Sequence, residues 1–224
     1  MLKPLIIAID GPSGAGKGTI ARTLANTLNY RHIDTGAMYR AVGWKALHDG
    51  VALDDEAAVA ALAERSDITV EGGQASIDGH DVTAAIRTPD IDKAASSVAR
   101  MPRVREVLVA RQRRLGEQGG IVMEGRDIGT VVFPDADVKI YLDASAEERA
   151  RRRLNDPAHS SGQAGAAAVA ASIQARDKSD TTRTVSPLTM AADAVLIDTT
   201  GVPIPDVVTR VMRLVEEKLV IRDL

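Results

Sequence analysis

Short unbroken apolar runs alternate along this chain with longer stretches in which apolar residues return every three or four positions. Leu5–Ile9 is five residues long, rich in Ile and closed by Asp10, which predicts a buried parallel strand. The turn-rich string Gly11-Pro12-Ser13-Gly14-Ala15-Gly16 follows. From Lys17 to about Leu28 the residues Ile20, Leu24 and Leu28 share one helical face. Ile121–Glu124, Val138–Leu142 and Ala194–Ile197 are further buried-strand candidates, and the first ends at Gly125.

Helices are predicted over 37–48, from Asp54 (as N-cap, with Glu56 in the first turn), over 90–100 and over 102–117, where Pro102 suits a first turn. Ser145-Ala146-Glu147-Glu148 reads as a capping box. Residues 155–165 read as a loop and 166–178 as a helix. A closing helix from Pro205 presents Val208, Val211, Met212, Val215 and Leu219 on one face. Strands alternating with helices indicate an α/β fold with a parallel sheet. Residues 66–82 break that rhythm. Three short β-like pieces, separated by Gly72-Gly73 and Asp78-Gly79, predict an inserted antiparallel meander.

At 224 residues the chain fits one large domain or a core with inserts. Its 28 basic and 31 acidic residues leave a net charge of −3, which argues against a general nucleic-acid coat. One Phe, one Trp and three Tyr are too few for a base-stacking platform. The absence of Cys removes disulfides, thiolate metal sites and a thiol nucleophile, and fits a reducing cytoplasm. Leu5–Ile9 is far too short to span a membrane, so no membrane role is expected. Arg outnumbers Lys 21 to 7, which suits bidentate phosphate recognition but equally suits a genomic bias, Ala being abundant too.

Gly11, Gly16 and Lys17 form Gly-x-x-x-x-Gly-Lys between a predicted strand and a predicted helix, the context a phosphate-binding loop requires. Its curled backbone would aim successive N–H groups at one anion, the helix N-terminus would add positive charge, and Lys17 would neutralise the outer phosphates. Gly18 stands where Ser or Thr usually ligates magnesium, and the hydroxyl moves to Thr19. No Asn-Lys-x-Asp guanine signature occurs.

Asp34-Thr35-Gly36-Ala37-Met38-Tyr39-Arg40 opens a helix. It is either a second anion cradle, with Thr35 and Arg40 on one anion, or a capped helix with a solvent Arg. Glu124-Gly125-Arg126-Asp127 follows a strand, where α/β proteins bind ligands. The cluster is either a structural ion-pair network or a site for a phosphate, a base and magnesium. Arg176, Asp180 and Arg183 share a face if helical, as a site or as a salt-bridged surface. Arg149, Arg152 and Arg153 share another face, which reads as solvated.

Together these runs closely resemble bacterial cytidylate kinase, the (d)CMP kinase. The matching stretches are IDGPSGAGKGT (9–19), DTGAMYR (34–40), IRTPDI (86–91), RVREVL (103–108), EGRDIGTVVFPDADVKIYLDAS (124–145) and the spaced Arg176, Asp180 and Arg183. The phosphate loop alone indicates only the superfamily, and DTGAMYR with GRDIGTVVFPDA is far more specific. The resemblance implies the P-loop nucleoside monophosphate kinase fold, with a five-stranded parallel sheet and helices on both faces. The core would be 1–41, 102–148 and 181–224, the monophosphate-binding arm 42–101 with its small antiparallel sheet, and the lid 149–180.

By matching position, the resemblance implies that Gly11, Pro12, Ser13, Gly14, Ala15, Gly16, Lys17, Gly18 and Thr19 cradle ATP. Thr35, Arg40 and Arg126 would hold the acceptor phosphate, and Ser96, Arg105 and Asp127 would read cytosine. Asp180 with Arg176 would contact the sugar, and Arg183 would serve the phosphates. Lys17, Arg126, Arg176 and Arg183 are the catalytic candidates, with Mg2+ near Thr19 and Glu124 through water. Thr35 replaces a frequent Ser, and Glu124 stands where Asp also occurs. The resemblance favours a monomer acting on ATP and CMP or dCMP, with no nucleic-acid polymer as partner. The acceptor phosphate, with a second pKa of ~6, would need no general base.

Overall fold

The computed structural model describes residues 3–156 and 165–223. Its centre is a five-stranded parallel sheet ordered β2 (Arg31–Asp34), β6 (Ile121–Gly125), β1 (Ile6–Asp10), β7 (Val138–Asp143) and β8 (Val195–Asp198). β1, β6, β7 and β8 coincide with apolar runs. β2, RHID, carries no such pattern, and only the family resemblance had asked for a fifth strand. It forms at the sheet edge, where pairing with β6 sets Arg31 opposite Ile121 and Asp34 opposite Glu124.

Residues alternate across the sheet, so each strand feeds two cores. On one face Leu5, Ile7 and Ile9 meet Ile20 and Leu24 of α1 (Lys17–Leu28) and Val207, Val211 and Val215 of α8 (Ile204–Asp223). Of the predicted stripe, Val211 and Val215 are buried and Val208 and Met212 pack half-buried against the same cluster. Val207 joins them, and Leu219 is exposed because the buried positions end at Val215.

On the other face Ala8, Ile33 and Met123 pack with α2 (Thr35–His48), α3 (Glu56–Arg65), α4 (Pro89–Val98) and α5 (Pro102–Gly116). The meander is present as β3 (Ile68–Glu71), β4 (Gln74–Ile77) and β5 (His80–Asp81). Asp78 and Gly79 both take positive φ, as the tight turn between β4 and β5 demands. Val70, Ala75 and Ile77 join the same apolar cluster as Ile33 and Leu108, so the small sheet seats on the main core. α2 runs unbroken through residue 42.

Caps differ in detail from expectation. Asp55, not Asp54, caps α3, because its carboxylate accepts from Ala58 N–H three residues on. Thr88 caps α4 through Ile91 N–H. Ser145 caps α6 (Ala146–Leu154) through Glu148 N–H, but the reciprocal half of the box is missing. Glu148 turns to Arg151 and Arg152, and Ser145 N–H is taken by Thr200 Oγ1 at 2.9 Å. α7 (Ala166–Thr182) runs four residues past its predicted end. Of the loop read at 155–165, residues 157–164 lie outside the described residues. After β6 comes a single π-helical turn, Ile128–Val132, closed by Phe133 N–H to Ile128 O at 2.7 Å, which no apolar period announced. No helix among the described residues is long and apolar enough to cross a membrane.

Candidate active site

Sheet order reverses about β1, with β6 and β2 on one side and β7 and β8 on the other. Ligands of such sheets collect beyond the carboxyl ends of the strands at that point. A cavity of about 1100 Å³ lies there. Eleven cationic and six acidic side chains line it among the described residues, in a chain whose net charge is −3. The positive charge is therefore concentrated locally, as a polyanion site needs.

The glycine loop forms its floor. Gly11 has φ 146°, and a Cβ there would overlap the carbonyl of Leu142, so the loop leaves β1 pressed against β7. Gly16, at φ 94°, is the N-cap of α1 and offers no side-chain acceptor. The first-turn amides of α1 therefore stay available to an anion. Ser13 to Thr19 line the cavity, whereas Gly11 and Pro12 stand behind its wall. Lys17 Nζ donates to Pro12 O at 2.7 Å. Burial, with the Arg126 charge adding to it, lowers the Lys17 ammonium to about 7.

α2 supplies the second cradle. Asp34 caps it, with Oδ1 accepting from Ala37 N–H at 3.0 Å and Oδ2 from Arg40 Nη2 at 2.7 Å. Burial alone would raise this carboxyl, but Arg40 and the Ala37 N–H outweigh it and hold the group at about 2. Thr35 Oγ1 donates to Glu124 O at 2.7 Å, fixing α2 to β6. The capped helix that the sequence offered here is present, with Asp34 as its cap, but Arg40 is buried against that cap rather than in solvent.

The turn after β6 carries Arg126 and Asp127 into the cavity. Asp10, at the end of β1, holds that turn by accepting from Ile128 and Gly129 N–H, both at 2.8 Å. Burial pushes the Asp10 carboxyl up to about 6 despite those two bonds. Arg126 Nε meets Asp180 Oδ2 at 2.7 Å. Arg105 and Asp127 form a buried pair, Arg105 lies 5.6 Å from the Tyr39 ring centroid, and Arg183 Nη2 lies 3.6 Å from Asp127 Oδ1. Ser96 lines the same wall. Arg183 does not share a helical face with Arg176 and Asp180, because it is the C-cap of α7 with ψ 142°. The chain turns there and brings Arg183 to Asp127 instead.

Arg149, Arg152 and Arg153 of α6 are not a solvated face. Arg149 is buried, donating to Ala144 O and Ser13 O and pairing with Asp177 at 2.5 Å. Arg152 grips Thr199 O at 2.6 Å, and Arg153 Nη2 donates to Ser13 Oγ at 2.8 Å. Arg152 and Arg153 line the cavity. The readable signal was position: α6 follows directly on the carboxyl end of β7.

Among the described residues, buried guanidinium nitrogens of Arg40, Arg105, Arg153, Arg176 and Arg183 make no hydrogen bond, although Arg153 Nη1 and Arg183 Nη2 each have a carboxylate oxygen 3.5 and 3.6 Å away, and all five side chains line the cavity. Such donors are costly unless an anion meets them. Glu124 and Thr19 also line the wall beside Lys17, and Glu124 Oε1 is bound by His32 Nε2 at 2.9 Å. These are hard oxygen donors, the kind magnesium takes.

A glycine loop closed by Lys between β1 and α1, on this sheet and in one cavity with a facing cluster of arginines, defines a P-loop kinase of the nucleoside monophosphate kinase fold. The sequence profile of the cytidylate kinase family matches residues 7–217, and the chain belongs to that family. It is 50% identical to a cytidylate kinase of Desulfitobacterium hafniense (strain Y51) over 98% of this chain and 96% of the relative. It is 50% identical to another of Desulforamulus reducens over 94% and 96%. A solved gluconokinase from Sinorhizobium meliloti 1021 covers all of both chains at a TM-score of 0.52 and 15% identity, a likeness of fold alone.

Proposed function

We propose that this protein transfers the γ-phosphoryl group of ATP to CMP or dCMP, giving ADP and CDP or dCDP. Family membership supports the class of reaction. The observation that carries the choice of base is the buried Arg105–Asp127 pair in the wall of the cavity whose floor is the glycine loop. Cytosine offers an N4 amino donor beside N3 and O2 acceptors, which suits a carboxylate next to a guanidinium. Uracil would set its O4 against Asp127 and leave a buried charge badly paired.

In this mechanism the amides of residues 13–19 and Lys17 hold the ATP phosphates. Thr35, Arg40 and Arg126 hold the acceptor phosphate, an oxygen of which attacks in line. Arg176 and Arg183 join Lys17 and Arg126 in neutralising charge as the two anions meet. Ser96 assists base recognition, and Asp180 with Arg176 faces the sugar. Thr19 and Glu124 would hold Mg2+ through water, and the ion would supply further neutralisation of the transferring phosphoryl. Residues 42–101 act as the acceptor arm and 149–180 as a lid that excludes water, closing on the core formed by the rest. The protein works as a cytoplasmic monomer, which light scattering checks.

ADP production from ATP and magnesium, with CMP, dCMP, UMP, AMP and GMP in parallel, tests the proposal. CMP and dCMP should turn over fast, UMP much more slowly and purines negligibly. Preference for AMP or UMP would sink the base assignment, and no acceptor-dependent ADP at all would sink the kinase.

A further inference from the structure

We infer that Asp92 is a positioning residue that couples the arm to the lid by holding Arg176 and Arg153 in the cavity. The inference deepens the proposed function and rests on it. Asp92 lies in the first turn of α4, in the arm. Its Oδ1 is 2.8 Å from Arg176 Nη1 on α7, and its Oδ2 is 3.5 Å from Arg153 Nη1 on α6. One arm carboxylate thus meets two guanidinium groups from two lid helices.

The geometry is that of a grip from behind. Arg153 and Arg176 line the cavity and Asp92 does not. Asp92 accepts a hydrogen bond from Arg176 Nη1 and makes a longer ion pair, without a hydrogen bond, to Arg153 Nη1, while Arg176 Nε remains buried without an acceptor and Arg153 Nη2 reaches Ser13 Oγ in the glycine loop. A continuous path therefore runs from α4 through Asp92 and Arg153 to the phosphate loop. A second branch runs through Arg176 to the acceptor side. Two guanidinium groups this close to one carboxylate repel each other without it, so its removal should splay α6 and α7 away from α4. Among the described residues, the arm–lid hydrogen bond from Arg100 Nη1 to Ser179 Oγ at 3.4 Å is exposed and long, and cannot replace it.

The test uses the full chain and two readouts. Because the sequence has no Cys, Lys93→Cys on α4 and Lys178→Cys on α7, both exposed, accept spin labels cleanly. The label distance should be a single narrow population in the parent and a broader, longer one with Asp92→Ala. In steady-state assays Asp92→Ala should lower kcat for CMP about tenfold with a smaller change in KM, and Asp92→Asn should lie between. Adding Asp92→Ala to an Arg153→Ala, Arg176→Ala background should cause no further loss. Unchanged distances, an unchanged kcat, or an equal loss in the double-arginine background would each overturn the inference. Asp92→Asn, nearly isosteric, guards against a trivial folding defect, with thermal melting as control. A parent that phosphorylates no monophosphate sinks the functional reading instead, and the label distances alone then decide for or against the link.

Discussion

The ammonium of Lys17 sits 2.7 Å from the carbonyl of Pro12, so the lysine closes onto the loop whose amides face the cavity. Burial and Arg126 together bring this group to about 7, well below a free lysine. Phosphates arriving in the cavity raise it again, so ATP binding must take up a proton wherever the free protein has lost one. Above pH 7 the apparent ATP affinity should fall by up to about tenfold per pH unit, and below pH 7 Lys17 should contribute no slope. Calorimetry at pH 8 in two buffers of different ionisation enthalpy should give close to one proton absorbed. Binding without proton exchange at pH 8 contradicts a depressed Lys17.

Asp127→Asn keeps a hydrogen-bond acceptor for Arg105 but gives up the charge and presents an amide N–H2 to the base. An amide can donate to uracil O4 as well as accept from cytosine N4. Activity toward CMP should fall about 10- to 100-fold in kcat/KM, while UMP changes little, so discrimination narrows. A variant that loses both substrates equally would mean that Asp127 acts only by holding Arg105.

Gly11→Ala should be among the most damaging changes in the chain. Its φ of 146° disfavours any side chain, and the added methyl would overlap the Leu142 carbonyl, a backbone atom that cannot step aside. The expected loss is about 3 kcal/mol or more of stability. Urea unfolding checks it, with Gly50→Ala as a comparison: Gly50 also has positive φ but open space about it, so it should cost only about 1 kcal/mol.

Much of this was legible in the sequence because apolar runs and glycine spacing are local signals. β1, β6, β7 and the 66–82 meander announce themselves, as does the glycine loop. β2 did not, since an edge strand reading RHID gains its order from β6 rather than from its own composition. The π-turn at Ile128–Val132 depends on Asp10, more than a hundred residues away, accepting two of its amides. Arg149, Arg152 and Arg153 looked like a wet helix face because helical spacing does not reveal what the helix packs on. The spacing of Arg176, Asp180 and Arg183 puts them on one face only if the helix runs through all three, and α7 ends at Thr182. Local pattern locates elements, whereas the partners of a charged side chain are set by tertiary approach.

Asp10 and Asp34 should titrate in separate windows and with opposite sign. Asp10, raised to about 6, binds its proton more tightly in the folded state, so stability falls as pH rises from about 4 to 6. Asp34, held at about 2, adds stability that is present above about 4 and lost as pH drops toward 2. Asp10→Asn removes the first window only. The stability gap between parent and Asp10→Asn should therefore shift by roughly 2 kcal/mol between pH 4 and 6.5 and stay flat above that. Denaturant midpoints across this range measure it, and a parallel course for the two proteins would contradict the raised Asp10.

Glu124 is held from two sides. His32 Nε2 meets its Oε1 at 2.9 Å, and a Cβ on Gly18 would lie 3.2 Å from the same oxygen. A glycine at 18, where other phosphate loops carry the hydroxyl that ligates magnesium, thus leaves room for the Glu124 carboxylate, which is proposed above to hold the ion from β6. Gly18→Ala must displace Glu124 by a few tenths of an ångström or distort the first turn of α1. Glu124→Gln leaves the shape intact and removes the charge. Both variants should need about tenfold more magnesium for half-maximal rate, since metal affinity drops when a ligating or orienting group is altered. Metal-free ATP should bind Glu124→Gln at least as well as the parent, because a negative charge beside the phosphates has gone. That second readout separates loss of the ion from loss of the fold. If magnesium dependence were unchanged in both variants, Glu124 would be a structural partner of His32 and the metal would rest on Thr19 and the phosphates alone.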